Sequence, residues 1–183
     1  MKILVTGAKG FIGKNLVSVV KTYKDYTIFE YDVDCELDLL DEYTKKCDFV
    51  FHLAGVNRPK DETEFTQGNV DFTTKLLESL QKNDNKAAIL MTSSMQAELD
   101  NPYGRSKKAA EDIVLRYSEK HSVPVYIYRL PNVFGKWCRP NYNSVVATFC
   151  HNIANDIDIT VNAVRAVHPY EEPVINIIPL MNT

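Results

Sequence analysis

The sequence lacks the cysteine and histidine patterns of metal centres and disulfide frameworks. Its four cysteines, Cys35, Cys47, Cys138 and Cys150, are widely spaced, with no C-x-x-C pair and no histidine pair nearby. Zinc and disulfide scaffolds are therefore set aside in favour of four reduced, mostly buried thiols, and no metal is assigned. Runs of like charge are also missing. The net charge of −3 comes from acids and bases interspersed along the chain, which argues against nucleic-acid or anionic-lipid partners. No apolar stretch approaches the length of a membrane span, and a strand pattern starting at Lys2 leaves no room for a signal peptide, so the expected location is the cytoplasm. There is no internal repeat and no low-complexity segment. What remains is 183 residues at 45% hydrophobic content, ample for one packed domain, alone or with an appendage.

Apolar runs alternate with helical patterns along this chain. Strands are expected at residues 2–6, 26–31, 48–53, 88–92 and 123–129, and helices at 11–22, 63–82, 103–121 and 143–154. The fold class is α/β, a doubly wound parallel sheet of Rossmann type, with its ligand crevice at the carboxyl ends of the strands. A strand is possible at 156–161. Residues 162–183 carry a different signature, His168-Pro169-Tyr170-Glu171-Glu172-Pro173 followed by an apolar run, so a main domain over 1–161 is separated from an atypical tail.

The first strand breaks into Gly7-Ala8-Lys9-Gly10-Phe11-Ile12-Gly13 and opens a helix, the arrangement that presents backbone N–H groups to a pyrophosphate. Gly7 makes the tight turn, Gly10 admits the pyrophosphate, Gly13 allows close packing, and Phe11 and Ile12 supply helix-start amides. Asp32, nineteen residues past Gly13, can accept hydrogen bonds from an adenosine ribose, with Asp34 a competitor. An acid there favours NAD, whereas Lys9 or Lys14 could neutralise the 2′-phosphate of NADP, and the choice between NADP and NAD stays open. Leu53, Ala54 and Gly55 after the third strand let the backbone approach the adenine-ribose side. Asp38 with Leu39 is expected in a turn at the adenine edge, or else at a helix N-cap. His52 reads as a strand-end residue with a satisfied ring rather than a catalyst.

Tyr103 and Lys107 lie four residues apart on a predicted helix and share a face, so the ammonium can favour the phenolate and make Tyr103 a usable acid or base. Ser94 closes the fourth strand on the same rim and can hydrogen-bond a substrate carbonyl.

TGAKGFIG, HLAG, TSS and YGRSK, in this order, resemble the extended short-chain dehydrogenase/reductase family, in its nucleotide-sugar branch. GVNRP, SSMQAELDNPYGRSK and FGKWCRPNYNSVVATF are similar to the reductase half of CapF-type capsule-biosynthesis enzymes. The resemblance implies that Tyr103 donates a proton to the sugar oxygen, Lys107 tunes it and binds the nicotinamide ribose, and Ser94 polarises the keto group. It sets Pro131 beside the nicotinamide, Asn132 facing the substrate, and Asn143 and Ser144 at the sugar-nucleotide diphosphate, with Arg139 assisting by charge. Dehydratases of this family carry an Asp-Glu pair where this chain has Met95 and Gln96, so dehydration is disfavoured. The implied activity is reduction of a 4-keto UDP-deoxysugar. A 4-epimerase, a non-catalytic dinucleotide-binding module or an inactive fragment are the alternatives. The family also implies a homodimer through helices 63–82 and 103–121. Its pattern calls for a substrate-closing lobe, expected here only in truncated form, and HPYEEPVINIIPL is similar to a segment of CutA-like domains.

Overall fold

The computed structural model describes residues 1–142 and 144–157, and the chain divides into two compact units, Met1–Pro131 and Asn132–Thr183. The expectations for residues 158–183, including the tail and the break at 161, lie outside the described residues, as does Asn143.

In the first unit, β1 (Lys2–Thr6), β2 (Thr27–Tyr31), β3 (Phe49–His52), β4 (Ala88–Ser94) and β5 (Val125–Leu130) form one parallel sheet in the order β2-β1-β3-β4-β5. The helices are α1 (Phe11–Val20), α2 (Leu37–Lys46), α3 (Thr63–Phe65), α4 (Phe72–Lys82) and α5 (Pro102–His121). A π-turn, Thr66–Asp71, joins α3 to α4, and a 3-10 turn, Met95–Glu98, follows Ser94. The expected strand 2–6 is present as such, the other four strands and the helices 11–22 and 103–121 are present with shifted ends, and the expected helix 63–82 is divided into α3, the π-turn and α4. The helix α2 was not expected. Its charged sequence LDLLDEYTKK turns only Leu40 and Thr44 fully inward, too thin a stripe to stand out.

Alternation along the strands separates two cores, as a doubly wound sheet requires. Leu4 and Val50 join the side chains of α2, α4 and α5, among them Leu40, Leu76, Leu80, Ala110 and Val114. Ile3 and Val5 face the other way, onto Val17 and Val20 of α1. α5 starts where the Asn101 side chain accepts the Gly104 N–H at 2.7 Å and Pro102 fits the first turn, so Tyr103 stands at the strand-end rim.

In the second unit, α6 (Val145–Ala154) follows a loop in which Trp137 takes φ +67°. The Lys136 ammonium lies 4.3 Å from the centroid of the Trp137 ring.

Candidate active site

The order in which strands are added reverses between β1 and β3, and a parallel sheet opens its ligand crevice at such a point. The loops leaving these two strands touch there. Gly7 has φ +69°, and a Cβ on it would stand 2.7 Å from the Ala54 nitrogen. A Cβ on Gly13 would lie 2.1 Å from the Gly7 carbonyl oxygen, so only glycine lets α1 start against the turn. Gly10 is the N-cap and offers no side-chain cap to the first amides of α1, Phe11 and Ile12 among them. This cradle fits a dinucleotide pyrophosphate. Shape and donors both agree.

Asp32 and Asp34 have separate partners. The Asp32 carboxylate accepts the Lys9 backbone N–H at 2.7 Å and the Val33 N–H at 2.8 Å, tying the glycine turn to the end of β2. Lys9 pairs through its ammonium with Asp34, which holds the lysine pKa up and the aspartate pKa down. Lys9, one of the two lysines read as able to neutralise a 2′-phosphate, and Asp34, the competitor of Asp32 for the ribose, thus belong to one exposed ion pair. Asp38 and Leu39 are not in a turn, as expected, but in the first turn of α2; Asp38 is exposed there and Leu39 packs on the larger core.

On the opposite side of the crevice, Lys107 is buried and its Nζ donates to the Thr92 carbonyl at 2.9 Å, two residues before Ser94. Burial pushes the Lys107 pKa down to about 8, against the opposing pull of Glu111. The same ammonium abuts the third loop, since a Cβ on Gly55 would stand 3.5 Å from it. Ser94 is buried at the end of β4, and its Oγ accepts the Gln96 N–H at 3.2 Å. Tyr103 is half-buried, one helical turn before Lys107, with its ring centroid 5.7 Å from that of Phe65. Gly55, Lys107 and the end of β4 therefore meet at one rim.

Several supporting residues went unnoticed in the sequence. Buried Asn69, in the π-turn, clasps Val56 through both of its backbone groups at 2.9 Å and donates to Ser106 Oγ at 2.9 Å. Glu111 is buried and accepts from Arg129 Nε at 2.9 Å and Nη2 at 2.7 Å, while Arg129 Nη1 donates to Glu98 at 2.6 Å. This clamp joins α5 to β5 and to the turn that follows Ser94. Burial works to raise the Glu111 carboxyl, but the Arg129 hydrogen bonds and charge outweigh it and hold the group below the usual range. Asn, Ser, Glu and Arg are common enough in helices and strands that no spacing marks these positions.

Pro131 closes the first unit and Asn132 opens the second, both exposed. Ser144 caps α6, its Oγ accepting the Ala147 N–H at 3.3 Å. Arg139 is exposed. Among the described residues no cluster of His, Cys, Asp and Glu is arranged to hold a metal ion, and no helix is long and apolar enough to cross a membrane.

The model of the NAD dependent epimerase/dehydratase family matches residues 3–165. The chain belongs to this family. A reductase of Pseudomonas aeruginosa, UDP-2-acetamido-2,6-beta-L-arabino-hexul-4-ose reductase, is 50% identical over 162 residues, 88% of this chain and 44% of that protein. The crystal structure of the capsular polysaccharide assembling protein CapF from Staphylococcus aureus superposes with a TM-score of 0.78 at 50% identity, covering 88% of this chain and 44% of that one. RMD from Pseudomonas aeruginosa, solved with NADPH, superposes with a TM-score of 0.73 at 26% identity, over 85% of this chain and 61% of its own. The chain thus spans under half the length of the two relatives that are 50% identical to it.

Proposed function

We propose that this chain is the reductase domain of an NAD(P)H-dependent enzyme that reduces the 4-keto group of a UDP-deoxysugar on the way to a surface polysaccharide. One observation carries the reading: buried Lys107 bonded to the end of the strand that bears Ser94, one turn from Tyr103, and against the Gly55 loop. The 50% identity to a UDP-4-keto-sugar reductase supports the substrate class.

In this reading the amides of Gly10, Phe11, Ile12 and Gly13 hold the pyrophosphate. Asp32 accepts from the adenosine ribose, with Leu53, Ala54 and Gly55 lining that side, Asp38 and Leu39 at the adenine edge and Pro131 at the nicotinamide. When bound, the nicotinamide supplies a hydride to the carbonyl carbon. Ser94 donates a hydrogen bond to the keto oxygen as charge builds on it, and Tyr103 passes its phenolic proton to that oxygen, which becomes the hydroxyl. Lys107 stabilises the phenolate left behind and binds the nicotinamide ribose; solvent then returns the proton to Tyr103. The substrate contacts of Asn132, Asn143 and Ser144 rest on the family pattern. The same reading gives a cytoplasmic enzyme, and a homodimer formed through α4 and α5, which sedimentation of the full chain would test.

The test is to titrate the chain with NADH and with NADPH, then add a 4-keto UDP-deoxysugar and follow loss of the reduced cofactor by absorbance. Oxidation that depends on the sugar is expected. Cofactor binding with no oxidation would overturn the reading in favour of a binding module.

A further inference from the structure

His52 stands at the end of β3, fully enclosed, with a partner on each ring nitrogen. Thr6 Oγ1 of β1 lies 2.8 Å from Nδ1, and Thr73 Oγ1 of α4 lies 2.9 Å from Nε2. The neighbouring bonds fix the direction of both. The Thr73 hydroxyl gives its single proton to the Asn69 carbonyl at 2.6 Å, so towards His52 it can only accept. Nε2 therefore carries the ring proton, and Nδ1 accepts from the Thr6 hydroxyl. Upstream, Thr6 Oγ1 accepts the Ala54 N–H at 3.4 Å. Downstream, the Asn69 side chain donates to Ser106 Oγ at 2.9 Å, and Ser106 donates to the Tyr103 carbonyl at 2.7 Å. The orientation of the Asn69 amide is fixed as well, because reversing it would set its NH2 against the Val56 N–H.

Every link in this series has one sense. It begins at the Ala54 loop, which packs on Gly7, crosses β1, β3 and the π-turn, and ends on the backbone of Tyr103. We propose that His52, in its Nε2–H form, is a positioning residue that sets the π-turn, and through Asn69 and Ser106 the start of α5, against the cofactor loops. The proposal rests on the reading of Tyr103 as the proton donor. A ring that served only to fill space would need no fixed tautomer. A wide turn inside a helix is also a place where backbone groups are released from the regular ladder, and here Thr73 takes up the Asn69 carbonyl.

The test has a part that needs no turnover. Long-range proton–nitrogen NMR of the full chain, labelled at the histidine ring nitrogens, should show His52 protonated at Nε2 and not at Nδ1; the opposite tautomer would overturn the proposal. In the enzymatic part, Thr73→Val keeps the volume and removes the hydroxyl, while Thr73→Ser restores it. Thr73→Val should lower kcat by about tenfold, a modest share of what misplacing a reacting group by 1 Å can cost, with cofactor Kd within about twofold of wild type. Thr73→Ser should recover most of the loss. Wild-type kcat in Thr73→Val, or a deficit that serine does not repair, would overturn the proposal. A wild-type chain that binds cofactor and shows the Nε2–H tautomer but never oxidises NAD(P)H would instead count against the reductase reading, with the positioning series intact.

Discussion

The two sides of the crevice are built from different material. Around Gly7, Gly13 and Ala54 the surface is backbone, and fit depends on the absence of atoms: a single Cβ would strike a neighbouring main chain. Around Lys107 and Tyr103 the surface is side chains, and fit depends on partners, from Thr92 behind the ammonium to Arg129 behind Glu111. A backbone site is broken by adding matter, whereas a side-chain site is broken by removing a charge or a hydroxyl. The proposed reading puts the chemistry on the second kind and the cofactor on the first.

The largest expected effect separates the two sides completely. Tyr103→Phe should reduce turnover by about 10²–10⁴-fold, the usual worth of a positioned acid, while the cofactor Kd measured by fluorescence titration stays at the wild-type value. Gly13→Ala should do the reverse. Overpacking against the Gly7 carbonyl should cost about 1–3 kcal/mol in urea unfolding and weaken cofactor binding, with any residual turnover still dependent on Tyr103.

A smaller effect lies in the pH profile. With Lys107 held near 8 by burial, kcat/KM for reduction should decline as pH rises through about 8 and the ammonium is lost. The sign for stability is opposite. A lysine pKa depressed in the folded state makes the charged form costly at pH 7, so Lys107→Met should raise the melting temperature there while abolishing turnover. The smallest effect is at acid pH. Because the folded Glu111 carboxyl titrates below its ordinary value, its contribution is complete above about pH 4.5 and lost as pH falls through the folded value. Glu111→Gln should flatten that part of a melting-temperature series, and an unchanged acid limb would mean that the Arg129 clamp does little.

The contrast also explains what could be read in advance. Glycines at 7, 10 and 13 follow an apolar strand, and so few residue types tolerate φ +69° or a 2.1 Å approach that the pattern has a mechanism attached. Tyr103, Lys107 and Ser94 were legible because their spacing is tied to one helix face and one strand end. Their supports were not. Asn69 reaches Ser106 from 37 positions away, and Glu111 meets Arg129 across 18, distances set by the order in which parallel strands assemble rather than by any local period. The helix α2 was missed for a related reason: its buried positions are few, and its lysines and acids look like a loop until packing picks out Leu40.

The π-turn between α3 and α4 has a bearing on how the chain tolerates change in length. Where the backbone bonds skip five positions instead of four, the helix stores one residue more than its rise requires, and the side chains after it are set back by about 100° from where an unbroken α-helix of the same count would put them. Deleting a single residue within 66–71 would let the helix close into an ordinary α-helix without shortening it by a full turn. The flanking faces would keep their phase, with Phe65 beside Tyr103 and Leu76 in the core, and the cost would fall on the turn itself, where Asn69 holds Val56 and Ser106. Homologous chains that differ here by one residue should therefore keep both the aromatic wall beside the tyrosine and the core below it and differ in the Asn69 link, a length polymorphism confined to one turn.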